Sequence, residues 1–94
     1  MQDLSRIDDP NWRPRAAEGV ETSEVEDGYI LYQSDRDRVH HLNRTAVVLL
    51  ALCTGRNRVT DMPELLQLAF NLASPPTMET GACLEQLVAE YLIL

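Results

Sequence analysis

Ninety-four residues, 45% of them apolar, suffice for one hydrophobic core and leave no room for a second lobe or a deep multi-substrate cleft. The net charge of −7 sets 15 acids against 8 arginines with no lysine, which opposes the broad cationic face that nucleic-acid phosphates require. No apolar run approaches the ~18 residues of a membrane span, and the polar N-terminus is no signal peptide, so a cytoplasmic protein is expected.

The opening stretch MQDLSRIDDPNWRPRAAEG is polar, contains Pro10 and Pro14, and shows no period. It reads as a loose arm, flexible over 1–13, ahead of a domain over 14–94. Trp12 is a large apolar side chain in this polar context and either caps the core edge or meets a partner. From Val20 the texture changes. Val20–Val25 is a polar strand candidate, Glu26-Asp27-Gly28 a hairpin turn of the Asp-Gly type, and Tyr29–Tyr32 a covered aromatic and β-branched strand. Ser34–Asp37 makes a second turn, and Val39–Leu42 a short third strand at the sheet edge.

Asn43 is placed to cap a helix over 44–54, which Gly55 ends. Its apolar run Ala46–Leu52 predicts a helix covered on most sides, the pillar of the core. Thr60 or Asp61 caps a second helix with Pro63 in its first turn, and Leu65, Leu68, Ala69 and Leu72 form a narrow stripe at i, i+3, i+4, i+7. Ser74-Pro75-Pro76 breaks it. Thr77 or Ser74 caps a third helix with Leu84, Leu87, Val88 and Tyr91 at the same spacing, and Leu92-Ile93-Leu94 is an apolar tail. The predicted fold is α+β, in the order βββααα.

Charge is distributed unevenly along this order. Residues 1–28 hold 8 acids against 3 arginines, while Arg36, Arg38 and Arg44 outweigh Asp35 and Asp37 around the third strand. An anionic partner group should therefore meet the protein near 36–44. Cys53 and Cys83 lie in apolar helical patterns and read as reduced, buried thiols, not as a disulfide or metal pair.

The residues offer no catalytic constellation. There is no nucleophile elbow and no Gly-rich phosphate loop. His40 and His41 are adjacent, so on a strand they point to opposite faces and do not share a metal ion. Glu18, Glu21, Glu24, Glu26 and Asp27 lack the spacing and central glycine of a calcium loop and read as a solvated face. No enzyme activity, cofactor or metal is expected.

One stretch is more specific. Asp27-Gly28-Tyr29-Ile30-Leu31-Tyr32, then Val39-His40-His41-Leu42-Asn43-Arg44-Thr45-Ala46, then Gly55, resembles the PqqD-like family of precursor-peptide recognition elements, which serve the biosynthesis of ribosomally made peptide natural products. The resemblance covers about residues 14–94, and the Leu42-Asn43-x-Thr45-Ala46 junction is its most specific part. The charged Ser34–Arg38 turn and the Tyr91-Leu92-Ile93-Leu94 tail depart from the family pattern.

The resemblance implies a winged-helix-like domain that binds the leader segment of a precursor peptide as an added strand. The implied binding residues are Arg38, Val39, His40, His41 and Leu42 on the third strand, with Leu84, Leu87, Val88 and Tyr91 on the third helix. A groove there needs only one or two of those four helix residues exposed, Tyr91 and Leu84 first. A tailoring enzyme, such as a radical-SAM enzyme or a leader peptidase, would act on the delivered peptide, with the Trp12 arm as its candidate contact. The alternative is a winged-helix DNA-binding regulator. It fits the element order, but 76–94 carries 3 glutamates and no cation, so no nucleic-acid partner is expected.

Overall fold

The computed structural model describes residues 8–94. It is an α+β fold: β1 (Val20–Val25), β2 (Gly28–Gln33) and β3 (Arg38–Leu42) precede α1 (Arg44–Leu52), α2 (Met62–Phe70) and α3 (Thr77–Ala89). The strands form one antiparallel sheet in the order β1-β2-β3, as the strand composition and turn residues predict.

The hairpins are set by local chemistry. Glu26 and Asp27 join β1 to β2, with Val25 opposite Gly28. A Cβ on Gly28 would come within 2.7 Å of the Leu42 carbonyl oxygen, so this position demands glycine by close backbone approach. Between β2 and β3 a 3-10 turn over Ser34–Arg36 ends on Asp37, whose φ of 49° is left-handed. The Asp37 carboxylate accepts a hydrogen bond from the Tyr32 hydroxyl at 3.0 Å, and that bond raises the phenol above its ordinary pKa.

Asn43 caps α1 as predicted: its Oδ1 accepts from the Ala46 N–H at 2.9 Å, worth about 1 kcal/mol at such a position. Ala46, Leu49 and Leu50 are buried, and α1 packs against β2, β3, α2 and α3. The helix stops at Leu52, not at the expected residue 54. The cause lies far away in sequence. The Cys53 carbonyl accepts the Ala16 N–H at 2.8 Å and Thr54 pairs with Arg15, so the chain leaves the helix to join an earlier segment. Gly55, at φ 84°, takes the next turn and donates its N–H to the Pro14 carbonyl at 2.9 Å.

The other two caps differ from expectation. Neither Asp61 nor Thr77 caps through its side chain: Asp61 pairs with Arg58 at 3.0 Å, and α3 opens after Pro76. On α2, Met62 and Leu66 are fully buried, whereas Leu68 of the predicted stripe is 78% exposed and Leu72 41%. The helix also ends at Phe70, with Asn71 left-handed, so Leu72 lies beyond it.

The expected loose arm divides. Residues 1–7 lie outside the described residues. Beyond them the Pro10 and Trp12 carbonyls accept from Thr60 and Val59, and Trp12 packs half-buried against the core. Pro14 is fully buried. The Leu92-Ile93-Leu94 tail joins the same seam: Arg15 and Leu94 exchange both backbone bonds, Ala17 donates to the Leu92 carbonyl, and Leu92 and Ile93 are core residues. A polar segment and an apolar tail, neither periodic alone, satisfy each other's backbone groups.

Candidate functional site

The sheet leaves the outer edge of β3 without a strand among the described residues. Which residues present backbone to that edge follows from the register. The Ser34 N–H donates to the Gly19 carbonyl, so the Gly19–Ser34 pair is hydrogen-bonded, and by alternation so are Glu21–Tyr32 and Ser23–Ile30. Ile30 and Tyr32 therefore turn their backbone groups to β1, and Tyr29, Leu31 and Gln33 turn theirs to Leu42, His40 and Arg38. Val39 and His41 are left pointing N–H and C=O outward.

Along that edge β3 faces α3. Two hollows of about 490 Å³ each lie in series along this seam. The first is lined by His41, Leu42, Asn43 and Thr45 on one side and by Glu79, Ala82, Cys83 and Gln86 on the other. The second lies between Asp35, Arg36 and Arg38 and the residues Ala89, Glu90 and Tyr91.

The predicted site residues separate accordingly. Val39 and the His41 side chain are exposed, at 65% and 57%, and Arg38 lines the second hollow. His40 and Leu42 point inward and are buried. Leu84, Leu87 and Val88 are each 1% exposed, so they are core residues and present no surface to a ligand; Leu84, a first choice for exposure, is corrected here. Tyr91 is half-buried past the helix end, left-handed at φ 58°, with the Arg36 guanidinium 3.7 Å over its ring. The helix residues that do line the first hollow, Glu79, Ala82, Cys83 and Gln86, keep i, i+3, i+4, i+7 spacing on the face beside the buried one. Sequence reading missed them because they are small or polar.

A polar relay, absent from the sequence reading, fastens the floor. Gln33 is 3% exposed, and its Nε2 donates to the Tyr91 carbonyl at 2.9 Å. A carbonyl only accepts, so the amide is held with Oε1 toward His40, whose Nε2–H donates to it at 3.1 Å. His40 Nδ1 lies 3.4 Å from Glu90 Oε2, and Arg38 reaches the same oxygen at 3.3 Å. Glu90 thus ties β3 to the end of α3. Its pair with Arg38 is solvent-exposed and worth about 0–1 kcal/mol, so Arg38 is easily released to another carboxylate.

Cys53 and Cys83 are free thiols, one buried and one half-buried in the first hollow. Burial raises both, Cys53 to about 12 with Cys83 adding to it. Among the described residues no group of 3 or more His, Cys, Asp or Glu is placed to hold a metal ion, and no helix is long and apolar enough to cross a membrane. Compared with protein-family models, curated proteins and solved structures, the chain matches none.

Proposed function

We propose that this chain is a non-catalytic peptide-binding domain of the kind its PqqD-like resemblance implies. It takes the leader segment of a ribosomally made precursor peptide as an added strand beside β3 and presents the peptide to a tailoring enzyme. The observation that carries this reading is the outward N–H and C=O groups of Val39 and His41, set beside the seam with α3.

Magnitudes say what the seam must add. Two outward residues offer about four backbone hydrogen bonds, roughly 2–6 kcal/mol together. A micromolar complex needs about 8 kcal/mol net of association costs, so side chains must fill the hollows as well. Ala82 and Cys83 leave space for an apolar side chain, and Arg36 and Arg38 face an acidic one. A DNA-binding role is disfavoured by α3, whose Glu79 and Glu85 have no Arg or Lys beside them on the helix.

The test is a titration of labelled leader peptides, encoded by short reading frames near the gene, beside a random DNA duplex. Saturable peptide binding is expected, with amide shifts at 36–43 and 79–91. Labelling of Cys83 by a thiol reagent at pH about 8.5, near the ordinary thiol pKa, should slow when peptide is bound. Binding of DNA in place of every peptide would overturn the reading.

A further inference from the structure

The two faces of the sheet are used unequally. Leu31, Gln33, His40 and Leu42 turn to the core, so by alternation Ile30, Tyr32, Val39 and His41 turn to the other face. Rows of opposed residues cross that outer face. One runs Glu21, Tyr32, Val39, and the next runs Ser23, Ile30, His41. In the first row exposure rises toward the open edge, from 37% at Tyr32 to 65% at Val39. A valine so bare contributes little to core burial. Tyr32 and Val39 form a non-hydrogen-bonded pair, the closer of the two antiparallel spacings, and the Tyr32 hydroxyl bond to Asp37 at 3.0 Å restrains the ring.

The two edges of the sheet differ in kind. Edge strands that avoid pairing present charged or polar side chains to solvent. β1 follows that rule, with Glu21 and Ser23 exposed on the outer face. β3 departs from it. Its arginine, Arg38, meets Glu90 of the α3 end across the inner face, and the outer row through Tyr32 ends on Val39. The row beside it ends on a polar group, since the His41 Nε2 lies 3.7 Å from the Asp27 carboxylate.

We infer that Val39 and Tyr32 read the bound peptide on the face away from α3, and that the peptide residue opposite Val39 is β-branched or aromatic. This rests on the strand addition proposed above, and register is its reason. Val39 turns both backbone groups outward, so an antiparallel strand sets one residue against it through two hydrogen bonds. Opposed residues share a face, so that side chain lies on Val39, in line with Tyr32. Its two neighbours in the peptide stand opposite Arg38 and His40 and point to the α3 seam. The hollows thus select alternate residues of the peptide, and Val39 selects the residue between them. A second copy is a poorer occupant, because two chains of net charge −7 repel each other.

The experiment uses the full chain and a displayed library of random peptides of about 10 residues, the upper length of a common strand. The tightest peptide retained is made isotope-labelled, and nuclear Overhauser contacts to Val39 identify the residue opposite it. That residue should be Val, Ile, Thr, Tyr, Phe or Trp. Replacing it by aspartate should weaken binding about fivefold, the upper range for one cross-strand pair. Val39→Lys should keep the thermal midpoint near wild type, because the side chain is exposed, and should invert the preference toward the aspartate peptide. A peptide paired along β3 with a charged residue opposite Val39, or a preference that Val39→Lys leaves unmoved, would overturn the inference while strand addition stands. A library in which no peptide shifts the amides of 38–42 would overturn strand addition and the inference with it. A dimer in sedimentation that Val39→Lys abolishes would assign the face to a second copy and overturn the inference alone.

Discussion

The Cys53 sulfur lies in the core, where its S–H donates to the Leu49 carbonyl at 3.3 Å, and burial pushes the thiol up to about 12. In the unfolded chain the same thiol titrates near ~8.5. Between those values the unfolded state releases a proton that the folded state keeps, so stability falls as pH rises, by up to about 1.4 kcal/mol per pH unit. Below the unfolded value the contribution is fully present. Urea midpoints should hardly respond to Cys53 at pH about 7 and decline steeply toward pH about 10. Cys53→Ala, weaker at pH 7 through its cavity, should decline less; parallel curves for the two proteins would place the titrating group elsewhere. Gln33 teaches a different lesson at this scale. Nothing in the sequence marks it, yet its amide joins the Tyr91 carbonyl to His40, because a long polar side chain on the inner strand face must find partners there.

At the scale of the element, β3 divides its residues between two tasks. The His40 N–H side of the strand faces Leu31 of β2, and the His41 side faces the open edge. Proline at His41 therefore removes only an outward donor. The fold should persist and leader affinity should fall about fivefold, the worth of one hydrogen bond of about 1 kcal/mol. Proline at His40 removes a ladder bond and the buried imidazole together, and should cost about 3 kcal/mol or more of stability. Circular dichroism melts beside the peptide titration distinguish them. The reverse outcome, with His41→Pro unfolded and His40→Pro intact, would show that the other set of residues faces the edge. On α3 the same division was only half legible. The spacing of Leu84, Leu87 and Val88 identified a helix, but the largest apolar side chains went to the core, and the side that lines the first hollow fell to Glu79, Ala82, Cys83 and Gln86.

Across the whole molecule, residues 10–17 act as a strap between the α1–α2 connection and the residues after α3. Trp12, Pro14 and Arg15 accept from Val59, Gly55 and Leu94, and Ala16 and Ala17 donate to Cys53 and Leu92. Trp12→Ala should cost about 2–3 kcal/mol, less than a fully buried tryptophan because the ring is only half-covered. That loss corresponds to a fall of more than about 8 °C in melting temperature for a chain this small. Deleting residues 1–13 should lower stability at least as far, and peptide affinity measured well below the new midpoint should survive either change. An unchanged melting temperature would mean that the Trp12 contact contributes nothing.

From the sequence by itself came the element order, the Asp27-Gly28 turn, the Asn43 cap and the third strand, all decided by interactions among residues close in the chain. Only the tertiary structure decided which side of each element turns inward, that α1 yields its last turn to Ala16, and that the Leu92–Leu94 tail pairs with a polar segment from the opposite end of the sequence. The reason is physical. Turns and caps are stabilised by neighbours within a few residues, whereas burial and the pairing of leftover backbone groups depend on whichever distant segment the closed core brings alongside.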